Sequence, residues 1–251
     1  MMKLESSSVN LRISGAQPNG QIAGRSPPTD QRISAYSLAR AIEEIGAAMV
    51  FPRDADIYRE SSPASYLYKV ISGTVRTLKT ISNGRRHIRA FYLPGDIFGV
   101  ETGQEHAFSA EAITDAKLLV IERKAVLALA ARDNDIARQL WSLTSRELKH
   151  AQNQALLLIL SAQERVAGFL LEMADRAPAG DEIELPMPRQ DIADYLGLTI
   201  ETVSRMMTHL EKGAAIALPT SRRVVLRDRS ALNRTTAESA VPLRVTASLG
   251  R

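Results

Sequence analysis

The chain has 251 residues, a formal net charge of +4 and a sequence pI near 9.5. This length suits one large domain or two ordinary ones, and the mildly basic balance is compatible with nucleic acid without being specific for it. Because the sequence holds no cysteine, disulfides, thiolate catalysis, cysteine-ligated iron–sulfur clusters and cysteine-type zinc sites are excluded. No secretory signal and no apolar run of the ~18 residues that span a membrane is present, so we expect a cytoplasmic protein.

The N-terminal half combines a polar arm with a strand-rich domain. Residues 1–34 are rich in Ser, Gly and Pro, and we expect a disordered or loosely packed arm. Between 35 and 122, one short helical stretch is followed by alternating apolar runs separated by turn signals. Asn83-Gly84 lies between two such runs, a strong hairpin signal because both residues adopt positive φ cheaply. The pattern predicts an antiparallel barrel or jelly roll, here called the β-roll.

Residues 123–160 are predicted to be helical and to carry two apolar stripes. One stripe has alternating spacings of four and three residues, typical of a coiled-coil seam, and consists of Ala137, Trp141, Thr144, Leu148, Ala151, Ala155 and Leu158. The second stripe is Ile136, Leu140 and Leu143. Both could form one wide face against the core. We favour pairing of the first stripe with a second copy of the chain, with the second stripe packed on the β-roll.

The C-terminal part, 161–232, has the order of a winged helix-turn-helix. Ser161 and Glu164 form a predicted capping box at the start of one helix. Two further helices are separated by a short break at Gly197, and residues 216–228 are expected to form a β-hairpin. The fold class is therefore α+β, with an N-terminal β-roll, a long dimerisation helix and a C-terminal DNA-binding domain. Residues 233–251 are expected to form a flexible tail outside the core.

The second helix of this motif carries the candidate base-contacting residues. Glu201 and Arg205 are four residues apart and share one face, with Ser204 beside them and Ile200 at the leading edge. Arginine can pair with guanine O6 and N7, glutamate can accept from cytosine N4, and isoleucine can contact a thymine methyl group. Alternatively, Glu201 and Arg205 form an ordinary solvated pair that contributes a few tenths of a kcal/mol.

Phosphate contacts are expected at the ends of the same elements. Thr199 is a good N-cap, so the following helix presents free backbone N–H groups to an anion. The other candidates are Thr202, Arg189, Arg222 and Arg223. Between 189 and 229, seven basic residues face five acidic ones, so binding must depend on where the positive charge is placed and should weaken with salt.

Taken together, residues 35–230 resemble the Crp/Fnr superfamily of bacterial transcription regulators. The most specific match is RQDIADYLGLTIETVSR, and its E-x-x-S-R pattern at Glu201, Ser204 and Arg205 resembles the Fnr and FixK branches. The resemblance implies a homodimer that binds a TTGA-N6-TCAA-like palindrome and activates transcription by touching RNA polymerase. The genes implied are those for low-oxygen or nitrogen-oxide respiration and nitrogen metabolism. It also implies that the protein is not an enzyme and has no catalytic residues.

The cofactors of this superfamily are not expected here. Gly99 and Ser109-Ala110 match the cyclic-nucleotide pocket, but Val100 and Phe108 replace its glutamate and its phosphate-binding arginine. A buried phosphate would then lack its charge partner. The adenine-contacting hydroxyl positions correspond to Ala151-Gln152, so we expect no cyclic nucleotide. The missing cysteines exclude the Fnr-type cluster and leave a FixK-type regulator without its own cofactor.

Three alternatives remain open at the sequence level. A haem-dependent nitric-oxide sensor of the same superfamily could use His87 or His106, although each is expected to be an ordinary surface histidine. A cupin-like barrel enzyme would need clustered metal ligands, and the four histidines form no such pair. A module that only dimerises would show no sequence-specific DNA binding. The enzyme alternative also leaves the winged helix unexplained.

Overall fold

The computed structural model describes residues 37–82, 84–101, 103–177 and 180–237. The predicted arm, 1–34, lies outside these residues. The N-terminal domain begins with a helix and continues with eight strands: α1 (Ser37–Ile45), β1 (Ala47–Phe51), β2 (Asp56–Tyr58), β3 (Tyr66–Ser72), β4 (Val75–Thr80), β5 (Arg86–Tyr92), β6 (Ile97–Phe98), β7 (Ser109–Ala112) and β8 (Ala116–Glu122).

These strands form the predicted antiparallel β-roll. One sheet has the order β1-β8-β3-β6 and the other β2-β7-β4-β5, and neighbouring strands are antiparallel throughout. The expected hairpin joins β4 and β5, where Ile81 N–H donates to the Arg85 carbonyl at 2.9 Å and Gly84 has a φ of 79°. Asn83 of the predicted turn lies outside the described residues.

The interior of the β-roll is filled by aromatic rings. Phe98 lies between Tyr68 and Tyr92, with ring centroids at 5.1 and 4.8 Å, and Tyr58 packs against Tyr68 at 5.3 Å. Because such pairs combine a large buried apolar area with favourable ring geometry, they stabilise a rigid, filled core.

The helical segment 123–160 is interrupted, which corrects the prediction of one long helix. It consists of α2 (Arg123–Ala130), α3 (Asn134–Leu156) and a 3-10 turn (Leu157–Ile159). The break arises because Asp133 is extended and caps α3, accepting hydrogen bonds from the N–H groups of Asp135 and Ile136 at 2.8 and 3.3 Å.

Helix α3 presents the two predicted stripes to different surroundings. Ile136 and Leu143 are buried, and Leu140 packs beside Ile136 against α1, β3 and β8. On the other stripe, Trp141 is 76% exposed and Leu148 61% exposed. Thr144, Ala151 and Ala155 are exposed as well, Ala137 is half-buried, and the side chain of Leu158 lies outside what the structure describes. The stripes are therefore separate faces of the helix.

The C-terminal domain follows the predicted order. It consists of α4 (Ala162–Arg176), β9 (Glu182–Glu184), α5 (Arg189–Leu196), α6 (Ile200–Lys212), β10 (Ile216–Ala217), β11 (Arg223–Leu226) and α7 (Arg229–Ala237). The capping box of Ser161 and Glu164 opens α4 as expected. The strands form one antiparallel sheet, β10-β11-β9, so the wing has a third strand.

Helix α7 continues to Ala237, which corrects the expectation that a flexible tail begins at residue 233. Leu232 is fully buried in the core of the C-terminal domain, and α7 packs on α4. Asp228 explains the start of this helix, because its carboxylate accepts hydrogen bonds from Ala231 N–H and the Ser230 hydroxyl, both at 2.9 Å. Residues 238–251 lie outside the described part.

Among the residues that the structure describes, no helix is long and apolar enough to cross a membrane.

Candidate DNA-binding site

Helices α5 and α6 are joined by a tight turn of three residues. Gly197 ends α5 with φ 64° and ψ 36°, a left-handed conformation that favours glycine because it lacks a Cβ atom. Leu198 N–H then donates back to the Ala193 carbonyl at 2.9 Å, and Arg165 of α4 donates to the Leu196 carbonyl at 3.0 Å. The turn therefore holds the two helices in one fixed relation.

One face of α6 is buried and the opposite face is open. Val203, Met207 and Leu210 are buried in the core shared with α5 and the wing. Met207 is more deeply buried than Met206. Glu201, Ser204 and Arg205 are exposed on the other side, and Ile200 is 36% exposed at the leading edge. The structure thus brings the four candidate base-contacting residues together.

Hydrogen bonds between side chains order the first turn of α6. Thr199 caps the helix, accepting from Thr202 N–H at 3.2 Å. The Thr199 and Thr202 hydroxyls lie 3.1 Å apart, and Arg205 Nη2 donates to the Thr202 hydroxyl at 3.3 Å. In this part of the described chain, Glu201 and Arg205 form no direct ion pair, so the Thr202 hydroxyl positions Arg205 in the free protein.

Glu201 remains a charged acceptor at this position. Its own backbone N–H and the Thr199 hydroxyl hold the pKa of its carboxyl below the ordinary value, and the charge of Arg205 lowers it further. A carboxylate at the start of a helix is also favoured by the helix dipole. Glu201 therefore presents acceptor oxygens of the kind that a cytosine amino group requires.

The predicted phosphate-contacting arginines differ in their surroundings. Arg222 is exposed at the tip of the wing, where the Thr220 hydroxyl accepts its backbone N–H at 3.3 Å. Arg223 is exposed but its guanidinium forms an ion pair with Glu182 on β9. Arg189 is half-buried, its Nη1 has no partner among the described residues, and burial lowers its pKa. Arg222 is thus the most available of the three.

A contact between the two domains, which the sequence did not reveal, lies behind this surface. Asp191 of α5 is completely buried, and it accepts from Arg76 Nη1 at 2.6 Å and from Arg86 Nη2 at 2.9 Å. Both arginines belong to the β-roll, more than 100 residues earlier. The sequence offered one indication that Asp191 is buried, namely its position next to Ile192 and Ala193 on the apolar side of α5.

Comparison with known proteins agrees with this architecture. A model of the Crp-like helix-turn-helix domain matches residues 164–235, and a model of the cyclic nucleotide-binding domain matches residues 48–133. The nitrogen fixation regulation protein FixK of Azorhizobium caulinodans is 48% identical over 202 residues, which cover 78% of this chain and 82% of that protein. The chain belongs to the Crp/Fnr family of transcription regulators.

Further relatives place this Crp/Fnr regulator with the FixK proteins. FixK of Rhizobium meliloti is 39% identical over 180 residues, 70% of this chain and 81% of that protein. The solved structure of FixK2 from Bradyrhizobium japonicum superposes with a TM-score of 0.74 at 44% identity, covering 76% of this chain and 97% of that one. The relatives are regulators with a helix-turn-helix domain and not enzymes, and this chain is a regulator of the FixK type.

In this Crp/Fnr regulator, the β-roll positions that correspond to a cyclic-nucleotide pocket contact other parts of the protein. Phe108 stands where the phosphate-binding arginine is expected, and Arg89 lies over its ring at 5.1 Å while pairing with Glu147 of α3 at 2.8 Å. The Ser109 hydroxyl accepts from Glu60 N–H at 2.9 Å. At these positions, Arg89, Phe108 and Ser109 are therefore engaged in contacts within the protein.

Of the two histidines considered as haem ligands, one lies at the expected surface position and the other does not. His87 is exposed on β5, as expected. His106 is buried, stacks on Tyr58 with ring centroids at 3.6 Å, and places Nδ1 3.5 Å from the Glu101 carboxylate. The expectation of a surface position is therefore wrong for His106. No group of metal-ligating side chains occurs in the described ranges.

Proposed function

We propose that this Crp/Fnr regulator binds a TTGA-N6-TCAA-like palindrome by inserting the start of α6 into the major groove. The observation that carries the proposal is the exposed set of Glu201, Ser204 and Arg205 on the first turn of a helix capped by Thr199. Arg205 and Glu201 contact the G·C pair of each half-site, and Ser204 and Ile200 contact the neighbouring A·T pairs. Thr199, Thr202, Arg189, Arg222 and Arg223 face the phosphates, with Arg222 best placed to do so.

Titration of duplexes tests this assignment. The wild-type protein is expected to bind the palindrome more tightly than a duplex with the G·C pair of both half-sites exchanged, by roughly 1–3 kcal/mol for each half-site. Affinity for both duplexes should fall with salt, because phosphate contacts release counterions. Equal affinity for the two duplexes would contradict the proposal and favour a module that only dimerises.

The second part of the proposal is a homodimer formed along α3. The exposed stripe of Trp141, Thr144, Leu148, Ala151 and Ala155 supports it, because an apolar seam at coiled-coil spacing is unfavourable in water and is buried when two helices pair. A symmetric dimer presents two copies of α6 about one DNA turn apart, which fits the two halves of a palindrome.

The third part concerns the signal. We propose that the regulator works without cyclic nucleotide and without haem, since Arg89, Phe108 and Ser109 already make contacts inside the protein and Tyr58 and Glu101 lie against His106. Calorimetric titration with cyclic AMP should give no saturable heat. A haem absorption band in protein purified with haem available would favour the nitric-oxide-sensing alternative.

The fourth part of the proposal is that the regulator controls genes for low-oxygen or nitrogen-oxide respiration and nitrogen metabolism. Two relatives carry the name nitrogen fixation regulation protein, which supports the part concerning nitrogen metabolism. We propose that the bound dimer activates transcription through contact with RNA polymerase. Transcription in vitro from a promoter with the palindrome should rise when the protein is added, and a fall would show repression instead.

A further inference from the structure

A cluster of five charged side chains connects the β-roll to the helix-turn-helix. It consists of Arg76, Arg86, Glu111, Asp191 and Asp194, and we call it the interdomain cluster. The two oxygens of the buried Asp191 carboxylate are each held by a different arginine, at 2.6 and 2.9 Å. Hydrogen bonds between charged groups are directional, so this contact favours one orientation of α5.

The cluster is anchored firmly at both ends. On the β-roll, Arg76 donates through Nε and Nη2 to Glu111 on the adjacent strand β7, at 2.9 and 2.6 Å. On α5, Arg86 reaches Asp194 at 2.9 Å as well as Asp191, and these two residues lie nearly one helical turn apart. Two attachment points along one face resist rotation of α5 about its own axis.

Other contacts between the domains restrict rotation less. Phe91 of β5 packs against Phe169 and Tyr195 with centroid distances of 6.3 and 5.2 Å. Such apolar contact holds two surfaces together but has little directional preference. A further polar contact runs from Arg176 of α4 to Asp96 and to the Phe91 carbonyl. Of these, the cluster alone acts on α5 itself through charged groups.

The orientation of α5 is passed on to α6. The Gly197 turn joins the two helices, and the buried residues of α6 pack in the same core as Ile192 and Leu196 of α5. In the resulting arrangement, a cleft of about 1120 Å³ lies between the β4–β5 hairpin and the start of α6, and Ile200 and Glu201 are among the residues that line it. The position of α5 therefore determines where the base-contacting residues lie relative to the β-roll.

We infer that the interdomain cluster sets the spacing between half-sites that the dimer recognises. This inference rests on the proposed function. The separation of two α6 helices in a dimer depends on how each DNA-binding domain is seated on its β-roll and α3. Asp191, Arg76 and Arg86 are therefore positioning residues that act on DNA recognition through α6, without touching DNA themselves.

The test uses full-length Asp191→Asn, which keeps the shape of the side chain and removes its charge. Binding is measured on duplexes whose half-sites are separated by about four to eight base pairs, around the spacing of one helical turn. The wild-type protein prefers one spacing. For the variant, the ratio between the affinity for the preferred spacing and the affinity for the other spacings is expected to fall at least about fivefold. This is the low end of typical coupling between sites. Its preference for bases within a half-site stays unchanged, a separation that a general loss of folding would not produce.

Three further variants guard against misfolding and charge effects. Arg86→Gln is a second disruption at a partly exposed residue, and Arg86→Lys retains the charge and should recover much of the spacing preference. Arg40→Gln, which breaks an exposed ion pair with Glu44 elsewhere on the chain, should leave it unchanged. Folded variants that keep the wild-type spacing preference, or that bind all duplexes more tightly, would overturn the inference. Absence of sequence-specific binding by the wild-type protein would overturn the proposed function, and this inference with it.

Discussion

At the scale of single residues, Arg205 has the most direct consequence for DNA recognition. It is exposed, and the Thr202 hydroxyl holds it at 3.3 Å in the free protein. Arg205→Ala is expected to weaken binding by roughly 1–3 kcal/mol per half-site and to relax selectivity at the guanine, because a bidentate contact to O6 and N7 is lost. Binding to duplexes that vary at this position measures the effect.

Lys212→Ala provides the matched comparison, since Lys212 is exposed at the far end of the same helix. Its loss should not alter selectivity at the guanine. If Arg205→Ala lowered affinity for every duplex equally, Arg205 would be a phosphate contact and its assignment to a base would be wrong.

His106 predicts a pH dependence of stability. Burial against Tyr58 lowers its pKa, and Arg123 acts in the same direction, while Glu101 opposes them. The unfolded chain therefore binds this proton more tightly than the folded protein does. The free energy of unfolding should fall as the pH drops below about 6.5, the ordinary histidine pKa, and should not change through this group above it.

Denaturant unfolding of wild-type protein and His106→Gln, at pH values on both sides of this point, measures the contribution. The variant should lose part of the pH dependence, whereas His87→Gln, at an exposed position on β5, should retain it. Identical pH profiles for wild type and His106→Gln would contradict the assignment.

Single residues could be assigned from the sequence where their partners are near in the chain. Glu201, Ser204 and Arg205 were found because helical spacing alone places them on one face. Asp191 was not, because its partners Arg76 and Arg86 are separated from it by 115 and 105 residues. A buried carboxylate and an exposed one look alike in a sequence until the arginines that neutralise it are known.

At the scale of elements, the N-cap of α6 is the feature most open to test. Thr199→Ala removes the side-chain acceptor for Thr202 N–H and should lower the free energy of unfolding by about 0.5–2 kcal/mol. DNA affinity should fall too, because the Thr199–Thr202–Arg205 hydrogen bonds are broken. Denaturant unfolding and duplex titration report the two effects.

Thr208→Ala is the control, since Thr208 is exposed in the middle of the same helix and alanine favours helix. A Thr199→Ala protein as stable as the wild type would show that the cap contributes nothing.

Elements were predictable where local hydrogen bonding decides them. The Ser161 capping box, the Gly197 turn and the β4–β5 hairpin all follow from residues a few positions apart. The break at 131–133 and helix α7 were missed because each depends on an aspartate, Asp133 or Asp228, acting as a cap. An aspartate in a polar stretch is equally typical of a loop. In the case of α7, only the packing of Leu232 distinguishes a helix cap from a loop residue.

At the scale of the whole molecule, the dimer seam is the main expectation. Leu148→Glu places a charge in the middle of the exposed stripe of α3 and should dissociate the dimer, because two carboxylates would face each other across an apolar interface. Sedimentation equilibrium should give half the wild-type mass. Binding to the full palindrome should weaken while binding to a single half-site changes little.

Leu127→Glu is the matched control, because Leu127 is similarly exposed but lies on α2, outside the stripe. An unchanged mass for Leu148→Glu, or an equal loss of mass in both variants, would rule out the seam as the interface.

The sequence indicated two domains and a connecting helix, but not how the domains are seated on one another. That relation depends on contacts such as Asp191 with Arg76 and Phe91 with Tyr195, which join distant parts of the chain. The filling of the β-roll by Tyr58, Tyr92 and Phe98 likewise emerges only when the strands are assembled.

The account depends most on sequence-specific recognition by a dimer through α6. Selection of bound sequences from a pool of random duplexes by the wild-type protein tests this most directly. We expect enrichment of a two-fold symmetric TTGA-N6-TCAA-like site, with the guanine and cytosine positions most strongly selected, and loss of selection at those positions by Arg205→Ala. A pool that remains random, or an enriched site without two-fold symmetry, would contradict the account.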